Sequence, residues 1–166
     1  MTDVSHNRDE PLGYLLTWTT YGTWLPGDER GWHSKDLPGD LHPDPQIREQ
    51  AESCLTERPF TLSHEQRVVV DDTIRRHCVI RNWPLHAVAV RSNHVHVVVT
   101  APGYHPDTVV EQYKAWCTRM LKPLVPRREH FWTVRASRRW LNHEASFDAA
   151  ISYVLDAQDR KGRDGE

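Results

Sequence analysis

Residues 93–99 read NHVHVVV. This alternation of residue types predicts a β-strand over 94–100, with both histidines on one face and valines on the other. His94 and His96 would lie about 7 Å apart along the strand, close enough to share one metal ion with a third ligand from another element. The valines would pack on helices. The sequence therefore predicts a candidate metal site at the centre of a rigid strand.

The sequence on either side of this strand predicts further strands. Residues 85–90 form the preceding strand, and the short turn at 91–93 makes a hairpin of the two. Residues 12–20 are rich in aromatic and β-branched types and predict the first strand. Two short strands are expected near the C-terminal end, at 131–135 and 137–141.

Four helices are predicted, over residues 46–55, 63–82, 108–121 and 146–159. Ser63 with Gln66, and Thr108 with Glu111, have the spacing of a capping box at a helix start. Ser146 can cap the last helix. Hairpins mixed with helices predict an α+β sandwich built on a largely antiparallel sheet.

Length and composition are typical of one soluble globular domain. The chain has 166 residues, of which 38% are hydrophobic and 27% are charged. We predict a disordered tail at 1–10, one domain over 11–160 with a long Gly-, Pro- and Asp-rich insert at 22–59, and a frayed tail at 161–166. The sequence has neither an apolar run of about 18 residues nor an apolar N-terminal segment, which predicts no membrane span and no secretory signal. Three scattered cysteines fit a reducing cytosol.

Basic residues concentrate in one segment of an otherwise slightly acidic chain. The net charge of −2 argues against a general nucleic-acid binder, yet residues 104–141 carry eight basic and three acidic side chains. Trp116, Phe131, Trp132 and Trp140 are interleaved with them. Attraction to phosphates combined with base stacking is the chemistry of single-strand binding. The alternative is that these aromatic residues pack in the core and the arginines face solvent.

The last predicted helix carries a candidate nucleophile, Tyr153. A phenol has a pKa near 10, so attack at neutral pH requires a metal-polarised target or a base. Asp156 lies three residues further on, at roughly the same helix face, and Gln158 lies further round. Either can turn an oxygen toward a metal held by the histidines. A tyrosine that only packs, with its hydroxyl bonded, is the alternative.

The ordered set of motifs resembles the IS200/IS605-type single-tyrosine transposases, including those associated with repetitive extragenic palindromes (REP), which are HUH endonucleases. The matching pieces are NHVHVVV at 93–99, the helix with Tyr113-Lys114 after it, HFWT at 130–133 and SYVLDAQ at 152–158. The segment YGTWLPGDERG at 21–31 resembles a subgroup of these proteins.

The resemblance implies a ferredoxin-like α+β sandwich, with helices packed on a central antiparallel sheet. It also implies that His94 and His96 bind Mg²⁺ or Mn²⁺. Tyr153 would attack a phosphate of single-stranded DNA, keep the 5′ phosphate as a phosphotyrosine and free a 3′-OH, which can later rejoin the strand. The implied protein is a metal-dependent transposase acting on DNA hairpins in the bacterial cytoplasm, at the nucleoid. Related proteins are monomers or homodimers with a swapped tyrosine helix.

One motif departs from the family pattern. Well-known members place a glutamine four residues after the tyrosine, where this chain has Ala157. Gln158 stands one residue late and Asp156 one residue early. The YVxxxQ pattern favours Gln158 as the third metal ligand, whereas ideal helix geometry favours Asp156. The DNA contacts expected from the basic segment are Lys114, Arg119, Arg135, Arg138 and Arg139.

Other interpretations predict different chemistry. Two-histidine phosphoesterases use a repeated H-x-T/S motif, and this sequence contains no such pair. A structural zinc site would need more histidine or cysteine ligands than the strand supplies. A transposase-derived protein that holds hairpin DNA without cutting it is the alternative function. Tyr113 is a second candidate nucleophile.

Overall fold

The computed structural model describes residues 10–32 and 39–159, with the side chains of 157–159 excepted. Residues 1–9 of the predicted N-terminal tail, the predicted tail at 161–166 and the side chain of Gln158 therefore lie outside the described residues. The extent of the domain, 11–160, stays a prediction. Within the described ranges no helix is long and apolar enough to span a membrane.

A four-stranded antiparallel sheet forms the centre of the structure. The strands lie in the order β2-β3-β1-β4, so β1 and β3 occupy the middle. This order and the βαββαβ succession are those of a ferredoxin-like fold, to which a final helix is added. The predicted α+β sandwich is confirmed. In chain order the elements are β1 (Gly13–Thr19), α1 (Pro45–Ser53), α2 (His64–Arg81), β2 (Leu85–Val90), β3 (His94–Val99), α3 (Pro106–Leu121), β4 (Ser137–Leu141) and α4 (Glu144–Asp159).

Helices cover both faces of the sheet. On one face, valines of β3 and the aromatic side chain of Trp18 pack against α2 and α3 in the larger core. On the other face, Leu15 and Val98 pack against Ala150 and Val154 of α4 in a smaller core. Because side chains alternate along a strand, the same alternation that buries the valines turns the polar residues of β1 and β3 toward α4.

Two helix starts differ from the sequence-based expectation. The predicted start of α3 at Thr108 is wrong: the helix begins at Pro106, which fits the first helical position because its missing N–H needs no partner there. The His105 ring accepts a hydrogen bond from Asp107 N at 3.2 Å and so caps it. The predicted cap at Ser146 is also wrong, because α4 begins at Glu144. The capping box at Ser63 is confirmed.

The predicted strand at 131–135 is wrong as well. Only an isolated bridge between Thr20 and Trp132 forms there. Backbone hydrogen bonds from Tyr21 N to Phe131 O at 2.9 Å and from Thr133 N to Thr19 O at 3.0 Å flank this bridge. The carbonyls of Thr133 and Arg135 accept hydrogen bonds from the side chain of Lys114, through Nζ, at 2.7 and 3.2 Å.

Candidate active site

The two histidines of β3 lie side by side on the face of the sheet that α4 covers. Their ring centroids are 4.7 Å apart, at an interplanar angle of 77°. They face β1 at the register positions of Thr19 and Thr17, respectively. The structure therefore brings His94 and His96 together as the alternation predicts, while the intervening Val95 is buried on the opposite side.

Each imidazole is oriented by a polar neighbour through its Nδ1 atom. His94 Nδ1 donates to Asn93 Oδ1 at 2.7 Å, which places the lone pair of the neutral ring on Nε2. His96 Nδ1 and Thr17 Oγ1 are hydrogen-bonded at 2.8 Å. Partners of this kind fix ring orientation in metal-binding histidines. The sequence did not reveal either partner's role: Asn93 looked like a turn residue, and Thr17 looked like an ordinary strand residue.

Burial and neighbouring charges keep both rings neutral. Burial lowers the pKa of His96 to about 4, and the charges of His94 and Arg91 contribute in the same direction. The pKa of His94 is lowered by burial first and then by Arg91 and Arg30. Neutral imidazole is the form that ligates metals. Neither ring therefore has to lose a proton at neutral pH to present a nitrogen lone pair.

Tyr153 projects from α4 next to this pair. Its ring centroid lies 5.6 Å from that of His96, at an interplanar angle of 78°. The residue after it, Val154, is fully buried against the sheet and holds the helix in place. Tyr153 itself is 55% exposed, so its hydroxyl is accessible to a substrate. The arrangement brings an accessible phenol to the edge of a two-histidine site.

Tyr113, the second candidate nucleophile, is a core residue. It is fully buried, stacks on Trp18 at a centroid distance of 5.9 Å, and is hydrogen-bonded through its hydroxyl to Cys78 Sγ at 3.1 Å. Burial, above all, raises the pKa of its phenol. An inaccessible phenol that resists ionisation cannot reach a phosphate, so the structure removes Tyr113 from the candidates.

The side chains present fit a divalent cation with two nitrogen ligands and a third ligand from α4. Among the described residues no group of three or more His, Cys, Asp or Glu side chains converges. No carboxylate among them therefore stands beside the two histidines as a third ligand. Asp156 is exposed. The side chain of Gln158 lies outside the described residues, so the choice between Gln158 and Asp156 stays a prediction.

The basic residues expected to contact DNA divide between several locations. Lys114 is buried, and burial lowers its pKa. Because its ammonium group bonds two backbone carbonyls, the expected DNA contact is replaced by a structural role. Arg138 pairs with Asp107 at 3.0 Å, and Arg119 lies over the exposed Trp116 ring at 5.2 Å.

Arg139 lies on the histidine side of the sheet. It stands opposite Leu15 in the β1–β4 register, and Leu15 belongs to the core beneath α4. Because residues directly opposite each other share a face, Arg139 and the site lie on one face, whereas Arg138 lies on the other. Arg135 is exposed in the loop before β4.

Comparison with known proteins gives independent matches. The sequence model of the family described as "Transposase IS200 like" matches residues 53–154, more than half of the chain and a range that includes both histidines and Tyr153. A REP-associated tyrosine transposase bound to a REP hairpin aligns with a TM-score of 0.55 at 12% identity, over 90% of this chain and 68% of that one. A putative transposase from Deinococcus radiodurans R1 aligns with a TM-score of 0.45 at 15% identity, over 89% and 91%. No curated protein matches significantly.

Proposed function

Because the chain belongs to the IS200-like transposase family, we propose that it cleaves and rejoins single-stranded DNA at hairpins through a 5′-phosphotyrosine intermediate on Tyr153. The main support for this proposal is the position of Tyr153 beside the two histidines. An exposed phenol lies 5.6 Å, ring to ring, from a buried histidine whose partner ring is a further 4.7 Å away. A phosphate held at the histidines would be within reach of the tyrosine hydroxyl.

The proposed reaction balances without an external energy source. Tyr153 Oη attacks the phosphorus of a backbone phosphodiester, and its proton passes to solvent. The P–O3′ bond breaks and O3′ takes a proton from solvent, so the upstream strand leaves with a 3′-OH and the downstream strand stays attached by its 5′ phosphate. Attack by a 3′-OH on this linkage reverses the step and releases the tyrosine. The covalent step divides one strand exchange into two transfers of similar difficulty.

We propose that Mg²⁺ or Mn²⁺ binds to His94 and His96, with Gln158 rather than Asp156 as the third ligand. A bound divalent cation would stabilise the charge that develops on the phosphate oxygens. The chain itself supplies oriented, neutral imidazoles: Thr17 and Asn93 fix the two rings, and burial keeps them deprotonated.

The DNA partner follows from the site and from the exposed arginines. Arg119, Arg135, Arg138 and Arg139 are exposed, and we propose that they contact the strand around the site. The protein's net charge of −2 makes strong sequence-independent binding unfavourable, and the affinity is expected to fall with rising salt. A hairpin with a single-stranded flank would offer its phosphates to the exposed arginines and an unpaired strand to the histidine–tyrosine site. The solved relative of similar fold is bound to a REP hairpin.

The test is cleavage of a pool of single-stranded hairpin DNAs in Mn²⁺ or Mg²⁺, followed by denaturing protein gels. The expected result is a metal-dependent covalent protein–DNA band that disappears in Tyr153→Phe and His94→Ala. Tyr113→Phe, which removes a buried hydroxyl, and His42→Ala, which removes an exposed histidine, are matched controls and should keep the band. A band lost in Tyr113→Phe but kept in Tyr153→Phe would overturn the assignment.

The same variants separate cleavage from binding. If the wild-type protein binds hairpin DNA and Mn²⁺ but never forms the covalent band, the chain is the non-cleaving hairpin binder instead. If it binds neither DNA nor metal, the proposed function is wrong.

A further inference from the structure

The segment between β1 and α1 holds one arginine in a fixed position. Asp28 Oδ1 accepts hydrogen bonds from Arg30 N at 2.9 Å and from Arg30 Nε at 2.8 Å, and Asp28 Oδ2 accepts one from Nη2 at 2.8 Å. Arg30 Nη2 also donates to Thr23 O at 2.8 Å. The guanidinium carbon lies 4.0 Å from the centroid of the Trp24 ring. An arginine so constrained loses little further freedom when it binds a ligand.

The loop that carries Arg30 is itself anchored on α1. Gly27 has a φ of 82°, and a Cβ atom added there would meet Asp44 O and lie 2.5 Å from Arg48 N. Gly27 O also accepts a hydrogen bond from Asp44 N at 3.0 Å. Only glycine allows this close approach. The loop therefore has a defined position relative to the rest of the protein.

The start of this loop is hydrogen-bonded to the residue that precedes the histidine pair. Asn93 O accepts hydrogen bonds from Thr20 N at 2.9 Å and from Thr20 Oγ1 at 3.3 Å, and Thr23 Oγ1 approaches the same oxygen at 3.5 Å. Asn93 in turn orients His94. Arg30 is thus connected to the metal-site residues through Thr23 and Asn93.

The pair has one buried and one exposed member. Asp28 is buried, with its side chain 5% exposed, whereas 44% of the Arg30 side chain is exposed. Hydrogen bonds from Arg30 hold the pKa of the Asp28 carboxyl below its ordinary value despite its burial, so the carboxylate stays charged as the partner of the guanidinium. The pair holds the exposed guanidinium of Arg30 in one orientation. The hydrogen bonds to Asp28 and Thr23 use Nε and Nη2, so Nη1 takes part in none of them.

We propose that Arg30 binds a backbone phosphate next to the scissile one, and that Asp28 is its positioning residue. This inference rests on the proposed function, because it requires a DNA strand at the histidine pair. Since Asp28 neutralises the charge of Arg30, the contact acts through directed hydrogen bonds rather than long-range attraction. A phosphate contact of this kind sets the register of the strand without reading its sequence.

The decisive variant is the double substitution Asp28→Asn/Arg30→Gln in the Tyr153→Phe background. It removes the pair without changing the net charge and leaves no unpaired buried carboxylate. The matched control is Asp72→Asn/Arg76→Gln, which removes an ion pair of 2.9 Å on the outer side of α2. Binding of a fluorescent single-stranded hairpin is measured by anisotropy from low to moderate NaCl concentration.

We expect the Asp28→Asn/Arg30→Gln protein to bind about tenfold more weakly. Because the two substitutions remove one positive and one negative charge from the same place, the slope of log K against log [NaCl] should stay close to that of the parent protein. The control should match the parent protein in both quantities. Equal affinity of the two double variants would overturn the proposal.

Further measurements separate the possible failures. Thermal unfolding checks that the double variant is folded, and Arg30→Lys provides a second route if it is not. The lysine keeps the charge beside Asp28 but lacks the planar donor fork, so we expect weaker binding at an unchanged slope; wild-type affinity would contradict a directed contact. If Tyr153-dependent cleavage is observed while the two double variants bind equally, only the role of Arg30 is wrong. If the wild-type protein binds no single-stranded DNA, the role of Arg30 and the proposed function are both wrong.

Discussion

Acidification of the metal-free protein should destabilise it through His96. In the unfolded chain this imidazole takes up its proton near pH 6.5, whereas in the folded protein it does so only near pH 4. Between these values the unfolded state holds more protons, so stability increases with pH through this window. Above about pH 6.5 His96 does not reduce the free energy of unfolding. As the pH falls from 6.5 toward 4, the free energy of unfolding decreases because the unfolded chain binds the proton more tightly.

The structure sets the size of this effect. His96 is only 6% exposed, so solvent screens its interactions little. A pKa lowered from 6.5 to about 4, at 1.36 kcal/mol per pKa unit, corresponds to about 3 kcal/mol. Burial is the largest cause of the lowered pKa, followed by the neighbouring charges of His94 and Arg91. The loss should therefore be steepest around pH 5.

The assay is urea unfolding in EDTA at pH 8, 6.5, 5 and 4. It compares the wild type with His96→Asn, whose amide replaces the Nδ1 side of the ring but cannot titrate. Subtracting one pH profile from the other cancels the contribution of the remaining groups, and His42→Asn, at an exposed histidine, serves as the control. We expect the wild type to lose about 3 kcal/mol more than His96→Asn between pH 6.5 and 4. Parallel profiles for these two proteins would show that His96 does not titrate differently in the folded and unfolded states.

Three further predictions concern the surroundings of the site. Thr17→Val, which removes the hydroxyl partner of His96, should weaken Mn²⁺ binding about tenfold in calorimetry; Thr17→Ser should restore it, and unchanged affinity in the valine variant would contradict an orienting role. Lys114→Met should lower the free energy of unfolding by about 2 kcal/mol, because two backbone carbonyls lose their donor. Its affinity for single-stranded DNA should stay unchanged, and a loss of affinity without a loss of stability would restore it as a DNA contact. Gln158→Ala should weaken Mn²⁺ binding about tenfold while Asp156→Asn does not; the reverse result would make Asp156 the third ligand.

The sequence predicted those features that depend on local periodicity. Alternation in NHVHVVV placed His94 and His96 on one face, and the capping box at Ser63 marked the start of α2. Both are consequences of backbone geometry within a few residues. The fold class followed because hairpins and helices in this order leave few ways to bury their apolar faces.

Features that depend on contacts between distant segments could not be predicted. Residues 131–135 have the composition of a strand, but two of their carbonyls accept hydrogen bonds from the side chain of Lys114 rather than from another strand. Thr17 became a partner of His96 only through the register of β1 against β3. The loop that carries Arg30 can approach the start of α1 only because residue 27 is a glycine. None of these relations leaves a signal within a single stretch of sequence.

The most direct test of Tyr153 as the nucleophile is to identify the residue that becomes joined to DNA. The wild-type protein is incubated with a cleavable hairpin and Mn²⁺, treated with nuclease and digested, and the nucleotide-bearing peptide is sequenced by mass spectrometry. We expect a phosphate-linked nucleotide on Tyr153. A nucleotide on any other residue, or strand cleavage with no protein-linked product, would contradict it.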